Sequence, residues 1–113
     1  MKLVTAVLAP ERLDAVAAAL GKAEVFRMTV TECRGVLSPG AAGPSPAAGS
    51  QTFAAKVRLE IAVNENFVKL TIEAIQKAGQ LSDEEASGFG KIFVTELLDV
   101  VRIRTGERGP DAI

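Results

Sequence analysis

Three basic residues near the end of the chain are the groups best suited to chemistry on an anion. Lys91 closes the run Gly88-Phe89-Gly90-Lys91, and the pair Arg102-Ile103-Arg104 follows shortly after. Glycines let backbone amides approach a ligand closely, because no Cβ stands in the way. Lysine brings a compact charge, and arginine a planar fork matched to phosphate oxygens. On an extended segment, a spacing of two puts both guanidinium groups on one face. Together these groups could grip a phosphate-bearing ligand, which points to a nucleotide sensor. Each piece alone is weak. Glycines mostly mark turns, and an Arg-x-Arg pair is more often exposed charge on an edge strand. Nor is the run a Walker loop, since it lacks the full spacing and a Ser or Thr after the lysine.

The elements that must carry these residues follow from hydrophobic periodicity. Lys2–Leu8 reads as a first strand with two fairly apolar faces. Pro10 suits the first turn of a helix over residues 10–22, with Leu13, Val16, Ala17 and Leu20 at helical spacing. Residues 25–35 read as a second strand ended by Gly35. Residues 36–52 then lose all periodicity and collect Pro39, Pro44 and Pro46 with Gly40, Gly43 and Gly49, which predicts a long mobile loop. Phe53–Val63 alternates Val57, Leu59, Ile61 and Val63 against Lys56, Arg58 and Glu60, a third strand. Asn64 is placed to cap a helix striped by Phe67, Leu70, Thr71, Ala74, Ile75 and Ala78, with Gly79 as its stop. A polar loop over 80–90 carries Asp83-Glu84-Glu85. Residues 91–97 form a fourth strand, and 100–113 a tail. The order β-α-β-β-α-β predicts an α+β, ferredoxin-like unit, an antiparallel four-stranded sheet with both helices on one face. Its other face is too apolar for full exposure, which predicts self-association.

Bulk properties narrow the chemistry. The chain has 113 residues, enough for one domain, with a net charge of −1 and no histidine. Histidine acid–base chemistry and Ser–His or Cys–His pairs are therefore excluded. Cys33 is the single cysteine, so no internal disulfide forms and the usual His/Cys zinc sites lack ligands. The charge balance does not favour nucleic acid. No apolar run approaches a membrane span of about 20 residues, and no signal peptide is visible. A cytoplasmic protein without membrane insertion is expected.

Taken in order, these pieces resemble the PII signal-transduction family over nearly the whole chain. The likeness rests on Met1-Lys2-Leu3-Val4-Thr5-Ala6, on Pro10 with Leu13-Asp14-x-Val16, and on Met28-Thr29-Val30-Thr31-Glu32 with Gly35. It continues through Lys56-Val57-Arg58-Leu59-Glu60-Ile61. Its most specific part is Gly88 to Val94 with Val101-Arg102-Ile103-Arg104-Thr105-Gly106-Glu107. The resemblance implies a compact, non-enzymatic homotrimer with no resident cofactor, binding ADP or ATP, with AMP a further candidate, in clefts between subunits. It implies that Lys91, Arg102 and Arg104 hold the phosphates and that Gly88, Phe89 and Gly90 belong to the loop wrapping them. Thr29, Gly35, Glu60 and Ala62 fall where the family lines the adenine and ribose pocket. Lys56 and Ser38 fall at the base of the loop over 36–52, which contacts a target: an ammonium channel or other membrane transporter, a metabolic enzyme, or a regulator of nitrogen assimilation.

Several departures from the family bear on what is sensed. The chain has no tyrosine, so a uridylylation site is absent. Leu37-Ser38-Pro39-Gly40 replaces the region where the family's glutamine completes a Mg²⁺–ATP–2-oxoglutarate shell, which counts against 2-oxoglutarate and leaves Mg²⁺ open. Ser38 also replaces a basic residue. A divergent regulator of inorganic-carbon transport, answering to bicarbonate, is the alternative. A small acyl-phosphate hydrolase, with Asn64 orienting water, is a distant third, since no nucleophile–base pair is evident.

Overall fold

A computed structural model describes residues 1–36, 52–80 and 90–113. Four strands, β1 (Lys2–Leu8), β2 (Thr29–Val36), β3 (Phe53–Val63) and β4 (Ile92–Glu96), form one sheet in the order β2-β3-β1-β4. Every neighbouring pair is antiparallel. Two helices, α1 (Leu13–Lys22) and α2 (Glu65–Ala78), cover one face. This is the ferredoxin-like βαββαβ architecture expected of the sequence.

Alternation in the strands decides which face is covered. Val4, Ala6 and Leu8 of β1 stand opposite Ile61, Leu59 and Val57 of β3, and all six are buried. Val16 and Leu20 from α1 and Thr71 and Ile75 from α2 complete that core. Burying a side chain of this size contributes roughly 1.5–3 kcal/mol. Leu70 falls off this stripe and is half-exposed, not core. Arg12 ties the helices together: its Nε and Nη2 donate to the Ala78 carbonyl at 3.1 and 2.7 Å, satisfying the last turn of α2. Gly79 follows because a Cβ there would stand 2.7 Å from the Ile75 carbonyl oxygen.

The second strand begins at Thr29, later than the sequence predicts, because α1 ends in a Schellman turn. Glu24 adopts φ 62°. Its amide donates to the Gly21 carbonyl at 3.0 Å, and the Val25 amide donates to Leu20 at 2.9 Å. Val25 then buries against Leu20 in the core, the apolar contact that accompanies such a turn. Residues 25–28 are thus used in crossing from helix to sheet.

The tail also differs from expectation. Among the described residues, Val101 forms an isolated bridge with Arg108, and a tight turn lies between them. The Arg102 amide donates to Glu107 O at 2.9 Å and the Gly106 amide to Arg102 O at 2.8 Å, with Gly106 at φ 74°. Arg102 and Arg104 therefore do not share one extended face. A short turn, Gly109–Ala112, ends the tail. Among the described residues, no helix is long and apolar enough to cross a membrane.

Candidate functional site

Pairing in register puts the first group of candidate residues together. On the face away from the helices, Thr29 stands opposite Glu60, which stands opposite Thr5, which stands opposite Phe93. The next row holds Ala62, Leu3 and Thr95. A cleft of about 570 Å³ opens here, with Thr29, Glu60 and Ala62 on the sheet, Arg27 beside them, and Ala112 and Ile113 of the tail closing one side. Most of this lining is apolar, with a hydroxyl, a carboxylate and a guanidinium at defined points. Such a slot suits a planar organic ring with a few hydrogen-bonding edges. Glu60 is held by Arg58 at 3.3 Å, an ion pair open to solvent on both sides, so it serves orientation more than stability.

The second group does not gather in the same cleft. Lys91 is exposed, and its carbonyl accepts from the Val7 amide at 3.4 Å, beside the C-terminal end of β1. Gly90 precedes it at φ 87°, a conformation that glycine adopts freely. Arg102, by contrast, is held by the tail near Leu3, at the other end of β1. From Leu3 to Val7 is about 13 Å of strand at about 3.3 Å per residue. Arg104 is exposed in the turn. Gly35 pairs with Ala54 toward the far end of β2. Lys56 lies opposite Cys33 and is only 7% exposed, an unexpected burial for a residue on the polar alternation of β3. Gly88, Phe89 and Ser38 lie outside the described residues, as do Asp83, Glu84, Glu85 and most of the loop over 36–52. Among the described residues, no group of three or more His, Cys, Asp or Glu side chains could hold a metal ion.

Some residues of the cleft had no advance signal. Arg27 and Phe26 belong to the crossing segment after α1, and Ala112 and Ile113 to the tail. Asn64 takes its expected place before α2, but its side chain makes no cap bond. Its Nδ2 donates instead to the Pro110 carbonyl at 3.1 Å. Nothing in the local sequence around Asn64 indicates a partner so distant along the chain.

Comparison with known proteins agrees with this architecture. A family model described as Nitrogen regulatory protein P-II matches residues 1–107. The chain is 46% identical to Nitrogen regulatory protein GlnK1 of Methanosarcina mazei, covering 100% of this chain and 97% of that protein. It is 39% identical to Nitrogen regulatory protein P-II of Azospirillum brasilense and 35% identical to that of Nostoc punctiforme, each over the full length of both chains. The chain therefore belongs to the P-II family of nitrogen regulatory proteins.

Proposed function

We propose that this chain is a regulator that binds ADP or ATP in a cleft between two copies of itself, and signals through residues 36–52 to a target protein. The observation that carries this reading is the apolar cleft of Thr29, Glu60 and Ala62, bordered by the tail that bears Arg102. The adenine ring enters the slot, and the phosphates meet cationic groups. Lys91 and Arg102 of one chain lie toward opposite ends of β1, which supports a site that takes its cationic groups from two copies. Closed assembly into a trimer supplies such a junction three times over. The mechanism is differential binding: the nucleotide stabilises one arrangement of the loop, and the target recognises that arrangement.

The names of the relatives support nitrogen metabolism as the pathway, and give no support to inorganic-carbon control or acyl-phosphate hydrolysis. The same names are those of regulatory proteins, in keeping with a role without catalysis. The chain's lack of tyrosine and of the family's loop glutamine supports a narrower effector set, without uridylylation and without 2-oxoglutarate.

Titration calorimetry tests the reading, with ATP, ADP and AMP, each with and without Mg²⁺, 2-oxoglutarate and bicarbonate. We expect micromolar binding of ADP or ATP, about 8 kcal/mol. Replacing Arg102 and Arg104 together with alanine should abolish it without unfolding the protein. Absence of any adenine-nucleotide heat from the folded wild-type chain would sink the proposal, and retained affinity in the double variant would overturn the site assignment.

A further inference from the structure

Arg102 is held by one edge of its guanidinium. Its Nε donates to the Ala112 carbonyl at 3.1 Å and its Nη2 to the Ile113 oxygen at 3.4 Å. A guanidinium carries five N–H donors in a rigid plane. With the Nε–Nη2 edge turned to the tail, one Nη1 proton and the second Nη2 proton remain on the terminal Nη1–Nη2 edge. That edge is a two-point fork of the kind that takes two phosphate oxygens at once.

The tail that holds Arg102 is itself fixed. Gly109 donates its amide to Val100 O at 3.0 Å and to Asp99 Oδ1 at 3.2 Å. Arg108 Nε donates to Asp99 Oδ2 at 2.9 Å. The Ala112 side chain is buried. The remaining anchor is Asn64, whose Nδ2 donates to the Pro110 carbonyl at 3.1 Å. A carbonyl can only accept, which fixes the amide nitrogen toward Pro110 and turns Oδ1 the other way. That oxygen is buried with no hydrogen-bond partner among the described residues. An asparagine before a helix ordinarily turns its oxygen to the helix amides; here the side chain serves the tail, and α2 goes without its cap.

We propose that Asn64, through the turn Gly109–Ala112, is a positioning residue for Arg102: it sets the guanidinium so that its free edge faces the bound phosphates. The inference rests on the nucleotide-binding reading above. It links the start of α2, the tail and the phosphate grip into one unit. Asn64 touches no ligand in this arrangement and acts only through Arg102.

A double-mutant cycle read by ATP calorimetry on the full chain tests this. Asn64→Ala should weaken ATP binding roughly five- to ten-fold, the size expected for loss of one orienting hydrogen bond. In an Arg102→Lys background the same change should have no effect, because lysine has no edge for the tail to hold. Ala112→Leu, which displaces the turn by overfilling its buried site, should repeat the pattern independently of α2. Unchanged affinity in Asn64→Ala, or equal weakening in both backgrounds, overturns the inference while the nucleotide site stands. Tighter binding in Asn64→Ala also overturns it, since the tail would then be competing with phosphate for Arg102. A wild-type chain that binds no nucleotide removes the reading beneath it, a result distinct from all of these.

Discussion

Glu24 is a non-glycine residue with positive φ in a position where glycine is the usual choice. The Schellman turn needs a left-handed residue there, and a Cβ in that region costs about 1–2 kcal/mol. Glycine removes that strain but adds freedom to the unfolded chain, which returns part of the gain. The Glu24→Gly variant should therefore be more stable by about 0.5–1 kcal/mol, seen as a higher midpoint in calorimetric melting. A lower midpoint would mean that the Glu24 side chain makes a compensating contact. Gly79 is the contrasting case. Its φ is ordinary for a helix end, and it is required by the crowded Ile75 carbonyl rather than by its own backbone. Both helix ends thus favour a residue without a Cβ, one through conformation and one through space.

Charged groups from three elements meet where β1 begins, β4 ends and α2 starts. The Met1 amino group donates to Glu65 Oε1 at 3.1 Å, and Lys2 pairs with both Glu65 and Glu96. The hydrogen bond from the amino terminus holds the Glu65 carboxyl below its usual range, partial desolvation opposes it, and the Lys2 charge adds to it. A carboxylate with a depressed folded pKa stabilises the fold above its unfolded pKa, and that stability is lost as the pH falls through the folded value. Melting midpoints should therefore separate wild type from Glu65→Gln at neutral pH and converge below the ordinary value of 4.5. A constant gap across that window would show that Glu65 acts through packing alone. How much of such structure the sequence discloses depends on range. The bounds of β1 and β3 were legible because their apolar alternation is local and faces a single core. The start of β2 was not, since the Schellman turn at Glu24 replaces the expected glycine signal. The Arg102–Arg104 spacing suits an extended pair, but Gly106 just beyond it carries a turn. The role of Asn64 was hidden for another reason: its residue type fits a helix cap, and only the folded tail supplies Pro110 as a competing acceptor.

At the scale of the whole molecule, the two faces of the sheet are treated differently. One is sealed by α1 and α2, while the other shows Leu3, Thr5, Val7 and Ala62 only partly covered and Phe93 51% exposed. Leu98 and Ile103 near the tail are fully exposed. A chain of this size gains much from covering such surface with copies of itself. In the proposed trimer, the outer face turns inward, and each cleft of Thr29, Glu60 and Ala62 comes to lie beside another chain. Sedimentation should then return three times the 11.8 kDa of one chain. Phe93 is the most direct test, because its partner across the sheet is Thr5, at the middle of that face. A carboxylate introduced there is buried in three copies near a common centre, where desolvation and like-charge repulsion add. Phe93→Glu should therefore sediment as a single chain, keep its helical circular dichroism, because the α1–α2 core lies on the other face, and lose nucleotide binding with the junction. A Phe93→Glu protein that remains trimeric would move the interface away from this face. One that dissociates yet binds nucleotide at full strength would confine the site to a single chain.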